Sequence, residues 1–147
     1  MYKFLEGCKK IEELASEIYH RLAENDSVSQ SLKKVFSQLS SDEKSHARSL
    51  DLIFQAAQND VKHIPLISNE SLEKAIELAE SLAEISSEKI RSEKMAINLA
   101  IKMENEFVKV HANNSLHFEN VRLAELFQML GDEDRRHIAT LKSCMDN

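Results

Sequence analysis

Leu39-Ser-Ser-Asp-Glu43-Lys-Ser-His46 and Leu130-Gly-Asp-Glu-Asp134-Arg-Arg-His137 superimpose without a gap. Each opens on a leucine, places a carboxylate four residues on, and closes on a histidine three residues after that. The match continues outward, with Phe36 on Phe127 and Leu50 on Leu141. Upstream, the same comparison puts Glu12 on Glu104 and Tyr19 on His111. Glu12 and Glu43 are 31 positions apart, and Glu104 and Asp134 are 30 apart. The chain therefore reads as a duplicated helical hairpin, each half supplying one carboxylate and then a carboxylate-x-x-His.

The hydrophobic period around these segments is helical. A first helix is predicted from Lys3 to Glu24, with Phe4, Cys8, Ile11, Ala15, Ile18, Tyr19 and Leu22 on one stripe. Asn25, Asp26 and Ser27 break it and are candidate caps for the next helix. That helix runs from Val28 to Ala57 through Leu32, Val35, Phe36, Leu39, His46, Leu50, Ile53 and Phe54. The pattern stops over Gln58 to Asn69, which holds the one proline, Pro65. Ser71 to Ile85 is helical again, with Leu72, Ile76, Ala79 and Leu82 on one side, and reads as a helix within a long crossover. A third long helix begins among the serines between Ser86 and Ser92. It carries Met95, Leu99, Met103, Phe107 and Val110, and ends at Asn113, Asn114 and Ser115. The fourth spans Leu116 to Cys144, with Leu123, Phe127, Leu130 and Leu141 inward and Gly131 as an internal weak point. The expected fold is all-α: one four-helix bundle over residues 1–147, made of two antiparallel hairpins joined by a long connection with an extra helix.

Composition agrees. Two glycines, one proline and no tryptophan in 147 residues leave too little turn chemistry for a sheet protein. The formal charge is -6 with acids and bases interspersed, so the basic footprint of nucleic-acid binding is absent. No apolar run reaches the length of a membrane span, and the start lacks a signal-like apolar stretch. Cys8 and Cys144 form no Cys-x-x-Cys pair, which excludes a thiolate metal site and a disulfide scaffold. A cytoplasmic location is the default expectation.

Buried charge is costly unless it is paired or bound to a metal, so polar residues on apolar stripes are the informative ones. They are Glu12, Glu43, His46, Glu104, Asp134 and His137. A carboxylate and an imidazole three apart on a helix can reach one ion, while carboxylates from the other two helices bridge and offset charge. Six mixed oxygen and nitrogen ligands suit iron or manganese. The acid-x-x-His spacing alone is weak, since Glu17-His20 and Asp60-His63 share it. His20 falls on a solvated face and His63 in the crossover, so both are set aside. Tyr19 is the candidate catalytic side chain, orienting ligands from one to two turns away; the alternative is a core tyrosine with a satisfied hydroxyl. His111, at the matching position, is a further candidate to orient ligands, but reads as a helix-end histidine in preference to a ligand. The methionines read as packing, and Cys8 as a small buried hydrophobe.

These segments resemble the rubrerythrin and ferritin-like di-iron carboxylate family over the four long helices. Glu12-Glu-Leu-Ala15-Ser-Glu-Ile-Tyr19 is similar to its Glu-x-x-Ala-x-x-x-Tyr segment. Glu43-Lys-Ser-His46-Ala47 is similar to Glu-x-x-His-Ala, and Ala100-Ile-Lys-Met-Glu104 to its third-helix stretch. The resemblance implies two iron ions, with manganese or mixed metals as variants. Glu12 and Glu104 would be the single-helix carboxylates; Glu43 and Asp134 would pair with His46 and His137. It implies redox chemistry with peroxide, dioxygen or ferrous iron, an external electron donor and a homodimer. Against the family pattern, Asp134 stands in place of glutamate, with Glu133 adjacent as an alternative ligand. Ile101 stands where rubrerythrins carry a further carboxylate. A ferritin-like metal-binding or structural protein with a vestigial site is the competing reading.

Overall fold

A computed structural model describes residues 2–57, 70–115, 118 and 120–146. Five helices follow one another: α1 (Tyr2–Ala23), α2 (Gln30–Ala57), α3 (Glu70–Glu88), α4 (Glu93–Ser115) and α5 (Val121–Met145). No strand occurs among the described residues. The expected all-α bundle is what is found. α1 pairs with α2 and α4 with α5, and these hairpins meet along α2–α5 and α1–α4. α3, the extra helix of the crossover, packs against α1 and α4. The stretch with His63 and Pro65 lies outside the described residues. No described helix is long and apolar enough to cross a membrane.

Side-chain caps set the helix starts. Ser29 Oγ accepts from Leu32 N at 3.3 Å, Ser92 Oγ from Met95 N at 3.1 Å, and Asn120 Oδ1 from Leu123 N at 3.2 Å. The cap of α2 is therefore Ser29, not one of Asn25, Asp26 and Ser27; Asn25 Oδ1 instead closes a local turn onto Ser27 N. The Asn120 cap likewise starts α5 five residues later than the periodicity suggested. The α1–α2 turn is tied to the α3–α4 connection, because Ser29 N donates to Glu93 Oε1 (2.6 Å) and Asn25 Nδ2 to the Ile90 carbonyl (3.2 Å).

The stripes close into one core that includes Ile11, Ile18, Leu22, Phe36, Leu50, Met103, Phe107, Phe127, Leu130 and Leu141. Met95 and Met129 are not part of it; both are exposed. Met95 sits in the first turn of α4, and the buried face there is Ala96, Ile97 and Ala100.

Small residues let each hairpin close tightly beside the polar stripe. Ser16 and Ser40 exchange hydrogen bonds with each other's carbonyls across α1 and α2, at 3.0 and 2.8 Å. Gly131, the repeat counterpart of Ser40, does the same work across α4 and α5: a Cβ there would meet Ala112 at 3.3 Å. The glycine costs helix propensity but keeps the two helices close, with Ala112 next to His111 and Gly131 one turn before Asp134. Gly131→Leu should overpack this crossing and cost about 1–3 kcal/mol. A melting temperature at or above that of the parent would show that the close approach is not needed.

Candidate metal centre

All six stripe-breaking residues are buried, and they converge between the hairpins. Glu12, Glu43, Glu104 and Asp134 have no exposed surface, and His46 and His137 have only 4 %. α1 contributes Glu12, α2 Glu43 and His46, α4 Glu104, and α5 Asp134 and His137. Asp42, Glu133 and His137 form a partly exposed group whose ligand atoms are close enough to share an ion, and two wholly buried groups do the same: Glu43, Glu104, Asp134 and His137, and Glu12, Glu43 and His46. Glu43 is common to both buried groups. Its Oε2 lies 3.1 Å from His46 Nδ1, and its Oε1 lies 3.1 Å from His137 Nδ1. One carboxylate thus faces both imidazoles with different oxygens, which is the geometry of a bridge. The rings stack at 5.9 Å with Nδ1 turned inward.

The outward nitrogens are also occupied. His137 Nε2 is 3.2 Å from Asp42 Oδ2, and His46 Nε2 is 3.5 Å from Glu133 Oε2. Asp42 and Glu133 are repeat equivalents, each one residue before the inner carboxylate of its own half, and each serves the histidine of the other half. A proton donated outward to such a carboxylate leaves the inward Nδ1 lone pair free. Glu133 is therefore placed outside the cluster and Asp134 inside it. Asp42 was missed from sequence; its alignment with Glu133 was the available signal.

Tyr19 and His111 form a second crossed pair. The Tyr19 hydroxyl donates to Glu104 Oε1 at 2.6 Å, reaching the carboxylate of the other hairpin. His111 Nε2 is 3.0 Å from Glu12 Oε1, and its Nδ1 is 2.6 Å from Asp134 Oδ2. Tyr19 stacks on Phe36, and His111 meets Phe127 edge-on, again as repeat equivalents. His111 is close to the end of α4, but it is wholly buried and belongs to the cluster, so the helix-end reading is corrected. Its alignment with Tyr19 was the signal available in the sequence. Tyr19 meets the cluster through Glu104. His20 is exposed and pairs with Glu24 at 3.3 Å, as its solvated face suggested.

Burial and mutual contact shift the titrations of these groups. Burial pushes Glu12 up, but the adjoining Glu43 carboxyl and the facing imidazoles of His111 and His46 overcome it and leave Glu12 at about 2. Burial and the Glu12 charge raise Glu43. Burial, with the Glu43 charge, lifts Glu104 to about 7, and burial lifts Asp134 to about 7 against the pull of His111. Burial opposes the imidazolium form of all three histidines. The surrounding carboxylates outweigh it, holding His46 and His137 at about 11 and His111 at about 10. Without metal, the carboxylates are thus balanced by protons on imidazoles.

That balance leaves several atoms unserved. Glu12 Oε1 and Oε2, Glu43 Oε1, Glu104 Oε2, Asp134 Oδ1 and His111 Nε2 are buried with no aligned hydrogen-bond partner among the described residues. Buried polar atoms are rarely left so, and five carboxylate oxygens in one place call for a cation. Hard oxygen donors with two imidazoles and no thiolate suit iron or manganese.

The rubrerythrin family model matches residues 3–145, nearly the whole chain. The chain belongs to the rubrerythrin family. No curated protein and no solved structure shows a significant match. As a rubrerythrin-family bundle, it keeps the buried carboxylate and histidine cluster between its hairpins, a cluster able to hold metal.

Proposed function

We propose that this protein is a two-metal, di-iron oxidoreductase that acts on peroxide, dioxygen or ferrous iron. The observation that carries the reading is Glu43, which offers one oxygen to each of the two histidine-bearing groups. Glu12 and His46 would hold one ion, Glu104, Asp134 and His137 the other, and Glu43 both. Four carboxylates would offset the charge of two divalent cations, leaving a near-neutral buried site. Bound there, the ion pair supplies two-electron redox chemistry toward a small oxidant.

The chain's own residues prepare that chemistry. Asp42 and Glu133 hold the outward nitrogens of His137 and His46, fixing ring orientation. Tyr19 restrains Glu104 through its hydroxyl. Burial and the Glu104 charge raise the Tyr19 phenol, so it stays a neutral donor at ordinary pH. Phe36 stacks on Tyr19, and Phe107 and Phe127 meet His111 edge-on, so buried apolar rings back both side chains. Turnover of peroxide or dioxygen would draw two electrons from an external donor.

A second reading, retention of metal without turnover, is favoured by one observation: Asp134 joins only one of the two groups. Metal analysis of anaerobically purified protein, with optical spectra before and after peroxide, separates the two. Two irons per chain with a spectral change on peroxide support the oxidoreductase; full occupancy with no change supports retention. Glu104→Ala and His46→Ala should each take the metal content below two ions per chain, while His20→Ala leaves it unaltered. Unchanged content in both cluster variants would refute the assignment.

A further inference from the structure

The two halves of the cluster match in sequence but not in contacts. Glu43 touches both histidines, whereas its repeat equivalent Asp134 is one methylene shorter and rests on His111 Nδ1 at 2.6 Å. The cause lies at the other substituted position. Tyr19 ends in one hydroxyl and engages Glu104 alone. An imidazole has two nitrogens, and His111 uses one toward Asp134 and the other toward Glu12 Oε1 at 3.0 Å. It spans α5 and α1 from α4. Gly131 against Ala112 brings α4 and α5 close enough for the short contact.

We propose that His111 is a positioning residue that ties Asp134 to one half of the centre and so makes the two metal sites unequal. This rests on the two-ion reading above. The half built from Glu43, Glu104, Asp134 and His137 has three carboxylates and an imidazole. The half built from Glu12, Glu43 and His46 has two carboxylates and an imidazole. In the second half, His111 also stands against Glu12 Oε1, an oxygen an ion would need. More donors and more negative charge give the first half the tighter hold, so it fills first and stably carries a single ion.

Mutual repulsion makes any second ion weaker, so the test must compare the halves one at a time. Mn2+ is titrated into His46→Ala, which leaves the His137 half, and into His137→Ala, which leaves the His46 half. The His46→Ala protein should bind its ion at least about tenfold more tightly, the lower range for changes in an outer-sphere partner. In the background His111→Tyr with Asp134→Glu, which copies Tyr19 and Glu43 onto the other half, that ratio should approach one. A purely structural role for His111 would weaken both halves alike and leave the ratio standing. Equal affinities in the two single variants, or a ratio that survives in the paired background, overturns the inference while leaving the two-ion reading intact. Failure of the unaltered protein to bind Mn2+ at all overturns both. Should the paired background not fold, His111→Gln must by itself narrow the ratio, and an unchanged ratio there is equally fatal.

Discussion

Glu43→Gln should abolish two-ion binding while leaving the metal-free protein at least as stable as the parent. Glutamine keeps the shape of the side chain and removes the one charge that both groups share. Each half then loses a carboxylate together, so the weakening should exceed about a hundredfold, the upper end for partners one layer further out. The metal-free state responds in the opposite sense. Burial and the neighbouring Glu12 charge raise Glu43 and favour its neutral acid. A neutral amide in its place removes like-charge repulsion without opening a cavity, and His46 and His137 keep Glu12 and Glu104 as charged partners at 3.4 and 3.1 Å. Metal analysis with calorimetry of both forms reads the two effects side by side. A variant that still holds two ions would take the bridge away from Glu43, and a large drop in metal-free stability would show that Glu43 holds the bundle together.

Metal should stabilise the fold more strongly as pH rises from about 5.5 to about 7.5. The metal-free protein draws stability from His46, His111 and His137, held at about 11, 10 and 11. A raised imidazole contributes in full below its ordinary value near 6.5, and the contribution is lost as pH climbs through the folded value. Glu104 and Asp134, both lifted to about 7, act in the same direction: their share is present below the ordinary carboxyl range and gone above about 7. Glu12 runs the other way, but at about 2 its contribution is lost only in strong acid. Over this window the metal-free fold therefore weakens as pH rises. Ion binding needs carboxylates and neutral imidazoles, so it displaces these protons and tightens by roughly tenfold per pH unit for each one released. The gap between loaded and metal-free melting temperatures should widen accordingly. A gap that stays flat or shrinks would mean that the imidazoles are neutral before metal arrives.

Much of this was legible along the chain, for a local reason. Helical periodicity and the carboxylate-x-x-His spacing are properties of residues within a few turns of each other, and the duplication repeats them. Glu12, Glu43, His46, Glu104, Asp134 and His137 could be picked out because each interrupts an apolar stripe, and burial of charge is too costly to be incidental. His20 could be set aside on the same ground. Helix starts were less accessible, because Ser29, Ser92 and Asn120 compete with nearby residues that cap equally well in isolation.

What the tertiary structure alone decided are contacts between helices far apart in sequence. Which oxygen of Glu43 meets which histidine depends on how the hairpins dock. So does the crossing of Asp42 to His137 and of Glu133 to His46. His111 makes the point most sharply. On its own helix it is a histidine near the end of α4, and only the approach of α5 at Gly131 and of α1 at Glu12 turns it into the link between two carboxylates. Periodicity says which face of a helix is buried; the neighbour waiting there is set by packing of whole helices, to which no short stretch of sequence has access.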